Sequence, residues 1–298
     1  MVSLHIEPTS RCTLACPRCE RTVFFRKFGK KNFSIDDLDI AVLENFIDTP
    51  VDGIALCGNI GDPIYHREFI NLVKMLTSKC KRIAITTNGS HKSRKWWKNL
   101  NSVLRPSDQI RFSIDGTPKN FTEYRVNADW DSILVGIQEC VLGPASTEWK
   151  YIPFSFNEHD IDETEKLSAS LGIDKFFVEP SDRWMKNGMK NDPLRPTAYT
   201  GPRDTVQQMY KNENIKEFDI DPICENHKNH YIGADGYYAP CCMSKNYEFY
   251  YKSDWWKNRD KHNITTTKLS EQIRHFDQFY STIQTERYDY CVFNCGKC

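Results

Sequence analysis

Three cysteines within eight residues, Cys12, Cys16 and Cys19, are the first feature of this 298-residue chain that could do chemistry. Thiolates so closely spaced suit a metal centre: three can hold three irons of a [4Fe–4S] cluster and leave the fourth iron open to an external ligand. Zinc is the rival occupant. Structural zinc, however, takes four protein ligands, and no fourth Cys or His follows nearby. His5, seven residues before Cys12, is expected at the opposite end of the preceding strand. A second thiol-rich segment closes the chain, with Cys224, Cys241, Cys242, Cys291, Cys295 and Cys298. Between the two lie Cys57, Cys80 and Cys140. Cys140 shares a helical apolar face with Ile133, Ile137 and Val141 and reads as core. Cys80 reads as structural, and Cys57 falls at a strand end near the rim.

Twelve cysteines favour metal ligation over disulfides only in a reducing compartment, and that is the expectation here. The opening residues MVSLHIEPTSRC show no basic segment leading into an apolar one, so a cytoplasmic location is expected. No apolar run is long enough to span a bilayer. Forty basic residues balance forty acidic ones, which disfavours a nucleic-acid binder, and a hydrophobic content of 39% describes a globular chain.

The elements that must position these thiols alternate strand and helix. Strand signals fall at Ser3–Ile6, Ile54–Cys57, Arg82–Thr86, Gln109–Ile114, Tyr151–Phe156 and Lys175–Val178. Helical patterns separate them: a capping box at Ser34 and Asp37 ahead of Leu38 to Ile47, a helix with Phe69 and Leu76, and others near 93–104, 133–141 and 161–171. Six βα repeats argue for an α/β fold with a parallel sheet, closed or partly closed as a (β/α) barrel, whose chemistry sits at the carboxyl ends of the strands. The polar motifs all fall there: the cysteine loop after the first strand, Gly58-Asn-Ile-Gly-Asp-Pro63 after the second, Thr87-Asn-Gly89 after the third and Ser113-Ile-Asp-Gly116 after the fourth. Asn157, Glu158 and Glu179 reach the same rim and are candidates for substrate contact or proton handling. Arg21 to Lys31, with interleaved phenylalanines, reads as a solvated loop able to meet an anionic substrate. Trp96-Trp97 and Trp255-Trp256 read as packing.

Cys12-x3-Cys16-x2-Cys19 after a first strand, with Gly61-Asp62-Pro63 after the second, resembles the radical S-adenosylmethionine (SAM) superfamily over residues 1–180. The resemblance implies a partial (β/α)6 TIM-like barrel, a [4Fe–4S] cluster on the three cysteines, and SAM chelated to its open iron. By likeness, Gly61 and Asp62 stand where the family receives the methionine amino group, Ser113 and Asp115 lie near the ribose and carboxylate, and Asn88 faces the same cavity. Two residues depart from the pattern: Asp62 replaces the commoner Glu, and Arg18 stands before the third cysteine, where an aromatic is usual.

Tyr231 to Cys242 reads as a hairpin with an Asp-Gly turn, and Leu269 to Phe279 as a helix returning the chain toward Cys291-x3-Cys295-x2-Cys298. A thiol-lined hairpin closed by a distant pair can fix four ligands on a segment too small for its own core. This resembles the SPASM and twitch appendages of radical SAM enzymes, small cysteine-rich α+β domains. It implies one auxiliary [4Fe–4S] cluster on Cys224, Cys241, Cys295 and Cys298, with Cys242 and Cys291 left over. The domain reading is a barrel over 1–180, an irregular Pro-rich connector over 181–223 and an auxiliary-cluster domain over 224–298. The resemblance implies reductive cleavage of SAM to a 5'-deoxyadenosyl radical and hydrogen abstraction from a peptide or protein side chain. A dehydrogenase or epimerase of a small alcohol, sugar or amino compound is the alternative. A reductant such as flavodoxin or ferredoxin is the implied partner, and a zinc-stabilised binding module is the non-enzyme reading.

Overall fold

A computed structural model describes residues 2–30, 34, 36–181, 192–198, 219–222, 229–245, 250–286, 288, 291–292 and 295–297. Six parallel strands follow one another across the sheet: β1 (Ser3–Ile6), β2 (Val51–Leu56), β3 (Cys80–Thr87), β4 (Gln109–Ser113), β5 (Ser146–Tyr151) and β6 (Lys175–Val178). Helices α1 (Glu20–Phe28), α2 (Ile40–Phe46), α3 (Phe69–Thr77), α4 (Arg94–Asn101), α5 (Trp130–Val141) and α6 (Ile161–Ser170) lie between and after them. This is the partial TIM-like barrel, an α/β fold with a parallel core.

Period-2 alternation sorts the strand residues. Leu4, Ile6, Ile54, Leu56, Ile83, Ile85, Ile110, Phe112, Trp149 and Tyr151 are buried in the main core with α2–α5. The register leaves His5, Ala55, Ala84, Arg111, Glu148 and Lys150 on the other, concave face. That face is polar because strands with helices on one side need an apolar surface only there.

Several boundaries differ from the sequence reading. The fifth strand is Ser146–Tyr151, not Tyr151–Phe156. The apolar run after Tyr151 instead packs Ile152 and Phe154 beneath the cysteine loop. Asp39, not Ser34, caps α2, accepting from the Val42 amide at 3.0 Å. Arg21 to Phe28 is helical rather than a solvated loop, and Arg21 is buried. Cys140 and Trp97 are core, as read.

The second half adds β7 (Asp219–Ile220), the hairpin β8 (Asn229–Ile232) and β9 (Tyr238–Ala239), helices α7 (Asp254–Lys257), α8 (Leu269–Ser281) and α9 (Ile283–Glu286), and β10 (Gly296–Lys297). The hairpin turns at Asp235-Gly236, where a φ of 76° requires glycine. It continues the barrel's own sheet: β8 runs parallel to β1, pairing His5 with Tyr231. Behind it, Ile220, Phe276, Phe279, Ile283, Cys291 and Val292 form a separate buried cluster. Among the described residues, no helix is long and apolar enough to cross a membrane.

Candidate active site

The loop after β1 brings Cys12, Cys16 and Cys19 to the carboxyl rim, and its backbone is held from several sides. Arg21, in the first turn of α1, donates to the carbonyls of Cys12 (2.5 Å) and Leu14. The Ala15 amide bonds the Val126 carbonyl at 3.0 Å. Arg11 pairs with Asp37 at 3.1 Å. Arg18 makes a two-pronged ion pair with buried Asp192, at 2.7 and 2.8 Å, a geometry that fixes orientation as well as distance.

All three cysteines pack against one apolar cluster that includes Leu14, Tyr124, Ile152 and Phe154. Burial pushes the Cys12 thiol up to about 12, with the Asp62 carboxylate adding to the effect. Among the described residues, no three His, Cys, Asp or Glu side chains converge closely enough to hold a metal ion. The loop backbone is thus fixed by groups other than the thiols themselves. Such a donor set fits an iron–sulfur cluster, because thiol deprotonation and ligand convergence accompany metal binding.

The loops after β2 and β3 meet the cysteine loop directly. The Asp62 amide donates to the Arg11 carbonyl at 2.8 Å. A Cβ on Gly61 would lie 1.8 Å from the Thr9 carbonyl oxygen, so only glycine permits this approach. The Asp62 carboxylate accepts from Thr87 Oγ1 (2.8 Å), the Asn88 amide (2.6 Å) and Asn88 Nδ2 (2.5 Å). Burial raises its pKa against these bonds. Asn88 Nδ2 also lies 3.7 Å from Cys12 Sγ. Gly61, Asp62, Asn88 and Cys12 therefore form one contact group.

Ser113 ends β4 on the concave face and is nearly buried. Asp115 is fully buried, paired with Arg125 at 2.7 Å and accepting from the Ile152 amide at 2.9 Å. Its carboxylate ties the loop after β4 to the one after β5.

The remaining candidates divide. Asn157 is buried and shapes its own turn, accepting from the Phe154 amide at 2.6 Å. Glu158 is held by Thr197 and Ala198 at 2.9 Å, hydrogen bonds that keep its pKa low against burial. Glu179 pairs with Lys150 at 2.6 Å. Beside it, Arg111 pairs with Glu148 at 2.7 Å.

His5 is not at the far end of its strand from the rim: its ring meets the Cys57 carbonyl at 2.8 Å and the Cys242 side chain. Burial works against its charge, but these partners carry its pKa above the ordinary value. Cys241 and Cys295 are described, whereas the positions read at Cys224 and Cys298 lie outside the described residues. Cys291 is buried in the aromatic cluster around Phe276.

The sequence reading missed Glu7, Tyr231, Arg125, Arg111 and Lys150. The alternation Arg111/Ser113 and Glu148/Lys150 between apolar residues was a usable signal for the concave face. Nothing local to Glu7 or Tyr231 marked either, since their link joins residues far apart in the chain.

No family model matches the chain. Its fold is similar to that of Streptococcus suis SuiB bound to S-adenosylmethionine, with a TM-score of 0.66 and 15% identity, over 100% of this chain and 72% of that one. SuiB bound to the precursor peptide SuiA gives 0.63 and 14%, over 95% and 66%. The chain has the fold of these proteins, a partial TIM-like α/β barrel. In sequence it is 28% identical over 118 residues to the tungsten-containing aldehyde ferredoxin oxidoreductase cofactor-modifying protein of Pyrococcus furiosus, 40% of this chain. That match spans 32%, about a third, of the relative's length.

Proposed function

We propose that this chain is a radical SAM enzyme that modifies a peptide or protein side chain. The observation that carries the reading is the meeting of Cys12, Asp62 and Asn88 on the carboxyl rim of the barrel, with Gly61 packed against the cysteine loop. Cys12, Cys16 and Cys19 would hold a [4Fe–4S] cluster, with SAM seated beside Gly61, Asp62, Asn88, Ser113 and Asp115. When bound, the cluster and SAM supply an electron and a 5'-deoxyadenosyl radical able to take hydrogen from an unactivated carbon.

The chain's own residues position and enclose. Arg21 fixes the Cys12 and Leu14 carbonyls, so the thiols can turn while the backbone stays. Asp62 orients Asn88 beside Cys12. Tyr124 and Phe154, stacked at 4.1 Å, exclude water beneath the loop. The paired charges Arg111–Glu148 and Lys150–Glu179 line the concave face where a polar substrate would lie. Cys224, Cys241, Cys295 and Cys298 are the proposed ligands of an auxiliary [4Fe–4S] cluster in a C-terminal domain over 224–298, after a connector over 181–223. A flavodoxin or ferredoxin would supply electrons in a cytoplasmic setting.

The peptide reading is supported by the precursor-peptide complex of SuiB. The test is anaerobic reconstitution followed by iron, sulfide and SAM-cleavage assays, comparing wild type with a Cys12/Cys16/Cys19 triple-alanine variant. About eight irons falling to about four, with deoxyadenosine formation lost, is the expected result. Zinc in place of iron, without SAM cleavage, would leave a metal-stabilised binding module. Deoxyadenosine formation stimulated by a small alcohol, sugar or amine but by no peptide would replace the substrate class.

A further inference from the structure

One buried carboxylate outside the SAM-facing set joins the two halves of the molecule. Glu7, 3% exposed, follows β1. Its Oε1 accepts from the amides of Ile60 (2.7 Å) and Gly61 (2.8 Å), and its Oε2 accepts from the Tyr231 hydroxyl (2.5 Å). Ile60 and Gly61 belong to the loop after β2, whereas Tyr231 belongs to the hairpin that carries Cys241 and Cys242.

A second tie runs between the same two segments: Asn59 Nδ2 donates to the Cys242 carbonyl at 3.2 Å. The loop cannot easily relax around a lost partner. A Cβ on Gly58 would lie 2.9 Å from Glu7 Oε1 and 2.2 Å from the Gly61 carbonyl oxygen. A buried carboxylate left with an empty acceptor site carries a desolvation cost, so removing either donor is felt by the other.

We propose that Glu7 is a positioning residue that holds the Gly58–Asp62 loop in its SAM-binding shape, and that Tyr231 and Asn59 make this hold depend on the C-terminal hairpin. The inference rests on the proposed function in taking this loop as part of the SAM site. Its consequence is coupling: whatever orders the hairpin, metal ligation included, raises affinity for SAM, and SAM in turn stabilises the hairpin.

The experiment measures SAM dissociation constants by equilibrium dialysis on the reconstituted full chain, alongside kcat at saturating SAM and the unfolding midpoint. Tyr231→Phe and Asn59→Ala each cut one tie while leaving Glu7 and the cysteines in place. Each is expected to weaken SAM binding about fivefold or more, with kcat changed less than about twofold and the midpoint lowered only by the modest cost of one hydrogen bond. Glu7→Gln keeps an oxygen for the two amides and is expected to weaken binding less than Glu7→Ala. Unchanged SAM affinity in both tie variants overturns the inference. So does a parallel fall of affinity, kcat and midpoint, which would mark a merely structural role. If wild type itself neither binds nor cleaves SAM, the proposed function fails and this inference with it; wild-type binding beside unaltered variants removes this inference alone.

Discussion

The cysteine loop after β1 and the cysteines of the C-terminal region are scaffolded by different physics. Around the first, charged groups hold the backbone: Arg21 on two carbonyls, Arg18 on Asp192, Arg11 on Asp37 and Arg125 on Asp115. Around the second, aromatic rings pack behind Cys291 and Cys295, with Phe279 and Tyr288 at 4.8 Å and Trp255 edge-on to Phe279 at 5.9 Å. The difference follows from location. The loop on the barrel rim buries Leu14 and Cys16 in a small apolar cluster, but its backbone has left the sheet ladder, so directional bonds fix it. The segment around Cys291 and Cys295 has only the two-stranded pairing of β10 with β7, and buried rings supply the rest of its order.

Breaking the charged scaffold at its most buried pair gives the largest expected effect. Arg125→Met leaves fully buried Asp115 without its cation and is expected to cost about 3–5 kcal/mol in denaturant unfolding. Adding Asp115→Asn should return much of that loss. The aromatic scaffold is tested by Phe276→Ala, a residue 2% exposed, with an expected loss of about 3–4 kcal/mol. The comparison sharpens if hydrogen exchange speeds in α8 and α9 while β2–β4 stay protected; uniform loss of protection would merge the two scaffolds into one. Arg21→Met removes two charged hydrogen bonds, an expected cost of about 1.5–3 kcal/mol, and should lower reconstituted iron more than Phe276→Ala does.

The smallest expected effect is a pH dependence. Burial alone would raise the pKa of Asp192, but the Arg18 pair holds it below the usual carboxylate range. A carboxylate depressed in the folded state stabilises above its unfolded pKa of about 4 and loses that contribution as pH falls through the folded value. Thermal midpoints should therefore drop more steeply below about pH 4 in wild type than in Asp192→Asn. Parallel curves would show that the pair contributes nothing to stability.

Much of the scaffold was legible in the residues. β1 and β6 begin and end where the alternation placed them, and α8 starts at the predicted Leu269. The fifth strand was displaced because Tyr151, Ile152, Phe154 and Phe156 form the more apolar run, whereas the true strand carries Glu148 and Lys150 on its concave face. Those charges are tolerable in a strand only because Arg111, Lys175 and Glu179 stand opposite, which no local window contains. His5 was misplaced for a related reason. Its direction depended on Cys57 and Cys242, more than fifty and two hundred residues away.

Residue type and spacing by themselves determined the parallel barrel, the thiol triad after its first strand and the turn at Asp235-Gly236, because apolar periodicity, thiol chemistry and glycine's freedom are local properties. Only the tertiary structure decided what the polar groups do: that Asp115 is tied to Arg125, that Asp62 holds Asn88 beside Cys12, and that the hairpin extends the barrel's sheet through β1 and reaches the rim by Tyr231 and Glu7. A buried polar group must find a partner wherever the fold puts one, and sequence distance sets no limit on where that is.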